Sequence, residues 1–263
     1  MSKQPKDDIE RKTIKNFREL VKRYEQFKDK TAFKYKKDGE IKEITYSKFT
    51  EDIKSMSEAI IASNAERIAV IGDNRYEWCV TYLGVECAGK VIVPLDKALT
   101  NVEIEKLLKR SEVDVVVYEE KYTEAIENAI KDGLNIKYKI CMDNKKDESV
   151  VQFKDFIESG RKILKSNKAK YNKVTINNTE MYIMLFTSGT TSEPKAVMLS
   201  QNNVCSNISA IAKHVKLYKT DTLLSFLPIH HTFECTITFL YGTYSGATIA
   251  FCEGLRHIKR ISS

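Results

Sequence analysis

The residue types that could do chemistry are concentrated in one short segment, FTSGTTSEPKAVMLSQNN, from Phe186 to Asn203. In it Lys195 directly follows Pro194, and hydroxyl residues surround Gly189. These hydroxyl residues are Thr187, Ser188, Thr190, Thr191 and Ser192. Backbone N–H groups, hydroxyls and one ammonium group that converge in a loop can bind the oxygens of a phosphate. The segment therefore predicts a phosphate-binding loop, with an ordinary polar loop as the alternative.

A Walker P-loop is one form that such a loop could take, and its pattern is GxxxxGK[ST]. Here Pro194 occupies the position of the second glycine, and Ala196 follows Lys195. Proline lacks the N–H donor that a Walker loop uses, and alanine has no hydroxyl for a magnesium ion. Both differences argue against a Walker P-loop.

The sequence on either side of the loop predicts the elements that position it. The apolar run MYIMLF, residues 181–186, is typical of a buried strand, and residues 200–215 are typical of a helix that Ser200 caps. A loop that leaves a strand lies at the strand's carboxyl end, where ligands bind in open α/β sheets. An anion site therefore suits this position.

The rest of the chain alternates strand and helix patterns. An amphipathic helix at residues 13–27 and a hairpin that turns at Asp38-Gly39 come first. Short β-branched runs then alternate with helical segments; Asn74 is predicted to cap one helix, and Thr100 a later one, in a capping box with a glutamate. Such repeats predict mostly parallel sheets covered by helices. A Lys-, Asn- and Ser-rich stretch at 165–178 predicts a connection between subdomains 1–175 and 176–263.

Composition and charge limit the class of protein. The chain has 263 residues, 42% of them hydrophobic, which is enough for a globular core. The net charge of +7 comes from lysines interspersed with acidic residues, which indicates a solvated surface and no nucleic-acid partner. The six cysteines lack metal-binding spacing and are predicted to be reduced core thiols, so no metal site is expected. With no apolar signal segment and no run of about 18 apolar residues, the sequence predicts a cytoplasmic protein.

Eight residues of the loop segment carry a family resemblance: Thr187 to Thr191, Pro194, Lys195 and Ser200. In order and spacing they resemble the signature loop of the adenylate-forming (AMP-binding) superfamily. The usual form of that loop is Thr-Ser-Gly-Thr-Thr-Gly-x-Pro-Lys-Gly, followed by an apolar turn and Ser/Thr-His. A second segment, SFLPIHHTFE from Ser225 to Glu234, resembles the Leu-Pro-x-His-His segment of the long-chain fatty acyl-CoA synthetase branch.

The resemblance extends to residues 44–53 and 68–96, which are similar to the amino-terminal subdomain of the same synthetases. It implies an α/β fold: an N-terminal helix and β-hairpin, then two helix-covered, mostly parallel sheets, of which the second is incomplete. It also implies an acid–thiol ligase, specifically a long-chain fatty acid–CoA ligase. Such an enzyme uses ATP, Mg²⁺ and CoA and acts on a fatty acid.

The resemblance also implies roles for the matching residues. A carboxylate attacks the α-phosphorus of ATP to give acyl-adenylate and pyrophosphate, and CoA then displaces AMP. The β- and γ-phosphates are held by Thr187, Ser188, Gly189, Thr190 and Thr191. Lys195 adds a mobile positive charge, and His231 faces the α-phosphate and the acyl carboxylate. His230 is expected to be structural, and Trp78 and Phe233 are expected in the core, with a place in the acyl tunnel as the alternative for Phe233.

Four positions depart from the family's pattern. Ser192 and Ala196 replace glycines, Glu193 stands where a neutral or basic residue is common, and Gln201 replaces a histidine. Serine and alanine are small enough for the backbone to approach a phosphate, provided that neither position needs a positive φ. A carboxylate beside polyphosphate opposes binding unless it faces solvent or pairs with a lysine. These departures bear on ATP affinity more than on the fold.

The 263 residues contain no match to the family's magnesium-binding glutamate, ribose-binding aspartate or carboxy-terminal lysine domain. The run YGTYS, Tyr241 to Ser245, resembles the magnesium motif only superficially, because serine replaces the carboxylate. We therefore expect an amino-terminal portion of a longer ligase, inactive by itself, whose partner is the missing carboxy-terminal part. Three alternatives stay open: a non-catalytic nucleotide- or acyl-binding module, adenylation of an aryl or amino acid, and lysine-mediated contact with an acidic partner or a membrane surface.

Overall fold

The computed structural model describes residues 11–143, 147–187 and 194–252, in which strands and helices alternate along most of the chain. The helices are α1 (Phe17–Arg23), α2 (Tyr46–Ser63), α3 (Tyr76–Cys87), α4 (Asn101–Ser111), α5 (Thr123–Lys131), α6 (Phe153–Leu164), α7 (Gln201–His214) and α8 (Gly242–Tyr244). The strands are β1 (Thr31–Lys37), β2 (Glu40–Thr45), β3 (Arg67–Ile71), β4 (Val91–Pro94), β5 (Val115–Tyr118), β6 (Tyr138–Cys141), β7 (Val151–Gln152), β8 (Met181–Thr187), β9 (Lys195–Ser200), β10 (Thr222–Ser225) and β11 (Thr248–Phe251). A π-helix, Glu234–Tyr241, leads into α8.

The larger sheet has seven strands in the order β7-β6-β5-β3-β4-β8-β9. Its neighbouring strands are parallel, except that β8 and β9 pair antiparallel. Strand β5 is buried along its whole length, as expected for a strand that is covered on both faces. The predicted helix-covered, mostly parallel sheet is confirmed.

The smaller sheet has four strands in the order β10-β11-β1-β2, and β1 pairs parallel with β11 and antiparallel with β2. The turn between β1 and β2 has φ values of 52° at Asp38 and 83° at Gly39. Positive φ at both central positions suits the twist of a two-residue hairpin. The predicted hairpin is confirmed, and it completes a sheet whose other two strands come from after residue 220.

Each sheet takes strands from both sides of residue 175. Strands β8 and β9 form one edge of the larger sheet, whereas β1 and β2 form one edge of the smaller sheet. Neither sheet is therefore confined to residues 1–175 or to residues 176–263. A subdomain boundary at residue 175 stays a prediction.

One strand differs from the sequence-based expectation. The apolar residues after the loop were expected to form a turn before a helix, but they form β9, which pairs with β8 over Thr187↔Lys195, Leu185↔Val197 and their neighbours. The first four residues of β9 are exposed, as expected for the edge strand of a sheet; only Leu199 is partly buried and Ser200 buried. The loop therefore connects the two strands of a β-hairpin.

Two predicted helix caps and one predicted core residue are found where expected. Thr100 and Glu103 form the predicted capping box, and Ser200 caps α7 together with Asn203. Trp78 is fully buried, as predicted. None of the six cysteines is in a disulfide; five of them are buried and Cys252 is partly exposed. Within the described residues, no helix combines the length and the apolar character that crossing a membrane requires.

Candidate active site

Two of the predicted loop residues face each other at the mouth of the β8–β9 hairpin. Thr187 is the last residue of β8, Lys195 is the first of β9, and both are exposed. The two residues are direct partners in the antiparallel ladder, so their side chains lie on the same face of the sheet. The hairpin thus presents a hydroxyl and an ammonium group together. Ser188, Gly189, Thr190 and Thr191 lie outside the described residues, as do Ser192 and Glu193.

The histidine segment, Ser225–Glu234, reaches the same edge of the larger sheet. Nε2 of His230 lies 3.5 Å from Oδ1 of Asp96, two residues after the end of β4. Strand β4 pairs parallel with β8 at Ile92↔Ile183. Asp96 and Thr187 each lie four residues beyond this pair. The register therefore brings the contact between His230 and Asp96 near the end of β8 from which the loop leaves.

The two histidines have different surroundings. Only 18% of the His230 side chain is exposed, and burial lowers its pKa, although the Asp96 carboxylate opposes this change. A neutral His230 wedged against Asp96 fits the predicted structural role. His231 is exposed, and its Nδ1 accepts a hydrogen bond from the N–H of Phe233 at 3.3 Å. When the ring is neutral, acceptance at Nδ1 places its proton on Nε2, which is then the donor of the ring.

Asn74 does not cap a helix, contrary to the sequence-based prediction. Arg75 occupies the N-cap position of α3, with no side-chain capping bond. Nδ2 of Asn74 instead donates to Oγ of Ser225 at 2.9 Å and to the carbonyl of Leu227 at 2.6 Å. Its Oδ1 accepts from the N–H of Ile229 at 3.1 Å. Its position after β3, at the carboxyl edge of the sheet, is the one signal in the sequence that could have indicated this role.

Three exposed apolar side chains lie close to His231 in the sequence. Phe226 is 48% exposed, Leu227 is 37% exposed and Phe233 is 57% exposed. The prediction that Phe233 belongs to the core is therefore wrong: the residue lies just before the π-helix, outside its buried residues. Exposed apolar groups clustered in a short segment are typical of a surface that binds a ligand or another part of the protein.

A cleft of about 910 Å³ opens between the carboxyl ends of the strands of the two sheets. Its lining includes Asn74 and Phe226, together with an ion-pair cluster centred on Arg75. The guanidinium lies 2.7 Å from Asp143, 2.8 Å from Glu77 and 3.3 Å from Glu119. Burial raises the pKa of Asp143, but the hydrogen bonds from Arg75 and from the N–H of Glu120, together with the positive charges of Arg75 and Lys121, outweigh burial and lower the pKa.

A family model described as "AMP-binding enzyme" matches residues 20–261 of the chain. The chain belongs to this family. Curated relatives include the human long-chain-fatty-acid–CoA ligase ACSBG2, which is 27% identical over 82% of this chain and 33% of its own length. The human long-chain-fatty-acid–CoA ligase 1 is 29% identical over 71% of this chain and 28% of its own length. The chain thus spans about a third of the length of these relatives.

Solved structures of the same family share the fold. The anthranilate CoA ligase AuaEII, in complex with anthranoyl-AMP, matches with a TM-score of 0.80 and 17% identity, over 92% of this chain and 46% of that chain. A fatty acyl CoA synthetase of Mycobacterium tuberculosis matches with a TM-score of 0.73 and 20% identity, over 94% of this chain and 47% of that chain. At such identities the likeness shows the fold of AMP-binding enzymes.

The described residues fit an anionic nucleotide better than a metal ion. Thr187 and Lys195 offer a hydroxyl donor and a positive charge on one face, and Nε2 of His231 adds a third donor at the same edge of the sheet. These groups suit phosphate oxygens. No cluster of three or more His, Cys, Asp or Glu side chains that could hold a metal ion occurs in the described ranges.

Two departures from the family's pattern can be placed. Ala196 lies within β9, in an extended conformation that needs no glycine. Gln201, in the place of the family's histidine, is fully buried. Its Oε1 accepts from the N–H of Phe17 at 2.9 Å, and its Nε2 donates to the carbonyl of Glu86 at 2.9 Å. The glutamine thus joins α7 to α1 and α3.

Proposed function

We propose that these residues form the amino-terminal part of an ATP-dependent long-chain fatty acid–CoA ligase. One observation carries this proposal: Thr187 and Lys195 flank the signature loop on one face, at the carboxyl edge of the sheet that the histidine segment also reaches. Membership of the AMP-binding enzyme family supports it as well.

In the proposed reaction a carboxylate oxygen of the fatty acid attacks the α-phosphorus of ATP, and the bond to the bridging oxygen of pyrophosphate breaks. The loop's N–H groups and hydroxyls and the Lys195 ammonium hold the β- and γ-phosphates, which carry the leaving charge. Nε2 of His231 donates to oxygen at the α-phosphate or the acyl carboxylate. A magnesium ion, when bound, neutralises part of the phosphate charge. Fixed donors of this kind stabilise charge as it develops in the transition state.

In the second step the sulfur of CoA attacks the acyl carbonyl of the adenylate. The carbon–oxygen bond to AMP breaks, and a thioester remains. This chain contributes the histidine segment and the loop that hold the adenylate during the attack. The proton of the thiol leaves to solvent or to a base that these residues do not supply.

A long-chain fatty acid is the proposed acyl donor. The cluster of exposed apolar side chains beside His231, at Phe226, Leu227 and Phe233, is suited to an alkyl chain. The names of the curated relatives ACSBG2 and long-chain-fatty-acid–CoA ligase 1 agree with this class of acid. An aryl acid is the principal alternative, since one structural neighbour of the same fold was solved with anthranoyl-AMP.

The test is an ATP–pyrophosphate exchange assay on the protein expressed from its complete reading frame. We expect exchange that depends on palmitate, palmitoyl-AMP as the intermediate, and release of AMP when CoA is added. Binding of ATP without exchange in the presence of any carboxylic acid would favour a non-catalytic nucleotide-binding module instead. Failure to bind ATP at all would overturn the proposal.

A further inference from the structure

We propose that Asn74 is a positioning residue: its hydrogen bonds hold the turn that contains His230 and His231 and so orient Nε2 of His231 toward the substrates. Asn74 follows β3 in the larger sheet, whereas the turn follows β10 in the smaller sheet. The contact therefore fixes the position of the histidine segment relative to the sheet from which the phosphate loop leaves. The catalytic purpose of these hydrogen bonds rests on the proposed function.

The turn itself is closed by its own backbone. The N–H of His231 donates to the carbonyl of Pro228 at 3.0 Å, which makes Pro228–His231 a hydrogen-bonded β-turn. Both histidines are residues of this turn. Any group that fixes the turn as a body therefore fixes where the two imidazoles lie.

Asn74 bonds to the turn and to the residues that lead into it. Its Oδ1 accepts from the N–H of Ile229, the second residue of the turn, at 3.1 Å, and its Nδ2 donates to the carbonyl of Leu227 at 2.6 Å. A backbone N–H can only donate and a backbone carbonyl can only accept, so the orientation of the amide is defined by these two bonds. A side chain with one donor and one acceptor is required, and aspartate, which has the same shape, lacks the donor.

A series of hydrogen bonds connects Asn74 to the far end of the histidine segment. Nδ2 of Asn74 also donates to Oγ of Ser225, which in turn donates to Oε1 of Glu234 at 2.7 Å. Thr238 donates to the other oxygen of Glu234 at 3.0 Å. Burial raises the pKa of Glu234, and these two hydroxyl bonds partly offset the effect. The segment is thus anchored before and after His231, and Asn74 supplies the anchor from the larger sheet.

The orientation of His231 depends on the shape of the same turn. Its Nδ1 accepts from the N–H of Phe233, two residues further along, and the N–H of Cys235 donates to the carbonyl of His231 at 3.0 Å. A shift of the turn would weaken the contact at Nδ1, and the imidazole proton would then exchange between its two nitrogens. Loss of Asn74 should therefore appear both in the tautomer of His231 and in the rate of adenylate formation.

The first experiment observes the histidine directly. Imidazole ¹⁵N chemical shifts are measured in the wild type and in Asn74→Ala, and His214 in the last turn of α7 serves as the internal control. We expect the wild-type His231 to show the Nε2-protonated tautomer. In Asn74→Ala we expect its two ¹⁵N shifts to move toward each other, with those of His214 unchanged. Identical His231 shifts in both proteins would overturn the inference.

The second experiment measures kinetics on the protein from the complete reading frame. In Asn74→Asp and Asn74→Ala, kcat for acyl-adenylate formation should fall by about tenfold or more while KM for ATP stays within about twofold, because misplacing a catalytic group slows the step without removing the binding contacts. Asn101→Ala, which removes another half-buried amide donor in α4, should stay within about twofold of the wild type. An unchanged kcat in Asn74→Asp would overturn the inference.

The two measurements separate this inference from the proposed function. Thermal unfolding reports whether each variant is folded, and Asn74→Asp keeps the shape of the side chain if Asn74→Ala does not fold. If the wild type makes no adenylate, the proposed function fails while the His231 shifts still decide whether Asn74 fixes the imidazole. If the wild type is active and both Asn74 variants match it, the inference fails and the proposed function stands.

Discussion

Thr187 and Lys195 are cross-strand partners, one on each side of the loop that carries the family signature. This pairing keeps the two ends of the loop at the distance of a β-ladder, about 5 Å between Cα atoms. Lys195 lies at the start of the edge strand β9 and is exposed.

We predict that Lys195→Ala and Thr191→Ala each slow ATP–pyrophosphate exchange by more than tenfold without unfolding the protein. A positioned charge or donor contributes about 2–4 kcal/mol in a transition state. The exposed Lys173→Ala, outside the site, is the matched control and should exchange at the wild-type rate. Unchanged exchange in both loop variants would contradict the assignment of the loop.

The choice of acid is a second prediction. A panel of carboxylic acids, assayed for CoA-dependent formation of AMP, should give the highest kcat/KM with a medium- or long-chain fatty acid such as palmitate. The physical reason is the apolar surface beside His231, since each buried methylene contributes about 0.8 kcal/mol. Preference for benzoate or for an amino acid over palmitate would refute the fatty-acyl assignment while leaving adenylation itself intact.

The sequence predicted the elements that local pattern determines. The four apolar residues of β5, the capping box at Thr100 and the turn at Asp38-Gly39 each depend on neighbours in the sequence, and each was found where expected. These features are set by side-chain periodicity, by hydrogen bonds over three residues and by backbone φ. The segments that match the family loop were likewise visible in the sequence, because identity and spacing alone define them.

What the sequence did not predict depends on partners distant along the chain. Asn74 has the type and position of a helix cap, but its partners in the histidine segment are more than 150 residues away. From the sequence, the residues of β9 were expected to form an apolar turn; they form a strand because they pair with β8. Phe233 looks like a core residue because its neighbours on the π-helix are buried. For Asn74 and β9 a tertiary contact overrides the local preference.

A third prediction concerns Gln201. The Gln201→Ala substitution should lower the free energy of unfolding by about 1–3 kcal/mol, because it leaves the buried N–H of Phe17 and the carbonyl of Glu86 without their partner. Urea unfolding measures the change. Asn207→Ala, at an exposed position of the same helix, is the control and should change it by less than about 0.5 kcal/mol. Equal stability of the two variants would contradict the bridging role of Gln201.

A fourth prediction concerns the 263-residue chain by itself. Incubated with ATP, magnesium, palmitate and CoA, it should form no measurable acyl-adenylate. The family's ribose-binding, metal-binding and lysine groups have no match in these residues, and effects on orientation and on developing charge multiply when they are lost together. The protein from the complete reading frame, assayed alongside, is the positive control. Steady production of palmitoyl-CoA by the 263 residues would show that they contain a complete site.

The last prediction concerns the pH dependence of stability and a carboxyl group, that of Glu86, which has no part in the proposed reaction. Glu86, on α3, is fully buried, and neither of its side-chain oxygens has a hydrogen-bond partner among the described residues. Burial raises the pKa of Glu86 well above its ordinary value of 4.5, and the nearby Gln201 amide offsets this only in part. The folded protein therefore keeps a proton that the unfolded chain releases above about pH 4.5.

This difference in proton binding fixes the sign of the pH effect. Above pH 4.5 the folded state binds more protons than the unfolded state, so the free energy of unfolding falls as the pH rises toward the folded-state pKa of Glu86. In that window the slope is about 1.4 kcal/mol per pH unit.

Glu86→Gln removes the titrating group but keeps the volume of the side chain. Urea unfolding at pH 5 and at pH 8 should therefore show a smaller loss of stability in the variant than in the wild type. The exposed Glu148→Gln controls for the loss of one negative charge and should follow the wild type. Parallel pH profiles for the wild type and Glu86→Gln would mean that the carboxyl reaches solvent or a partner in the folded protein, and that its burial does not limit stability.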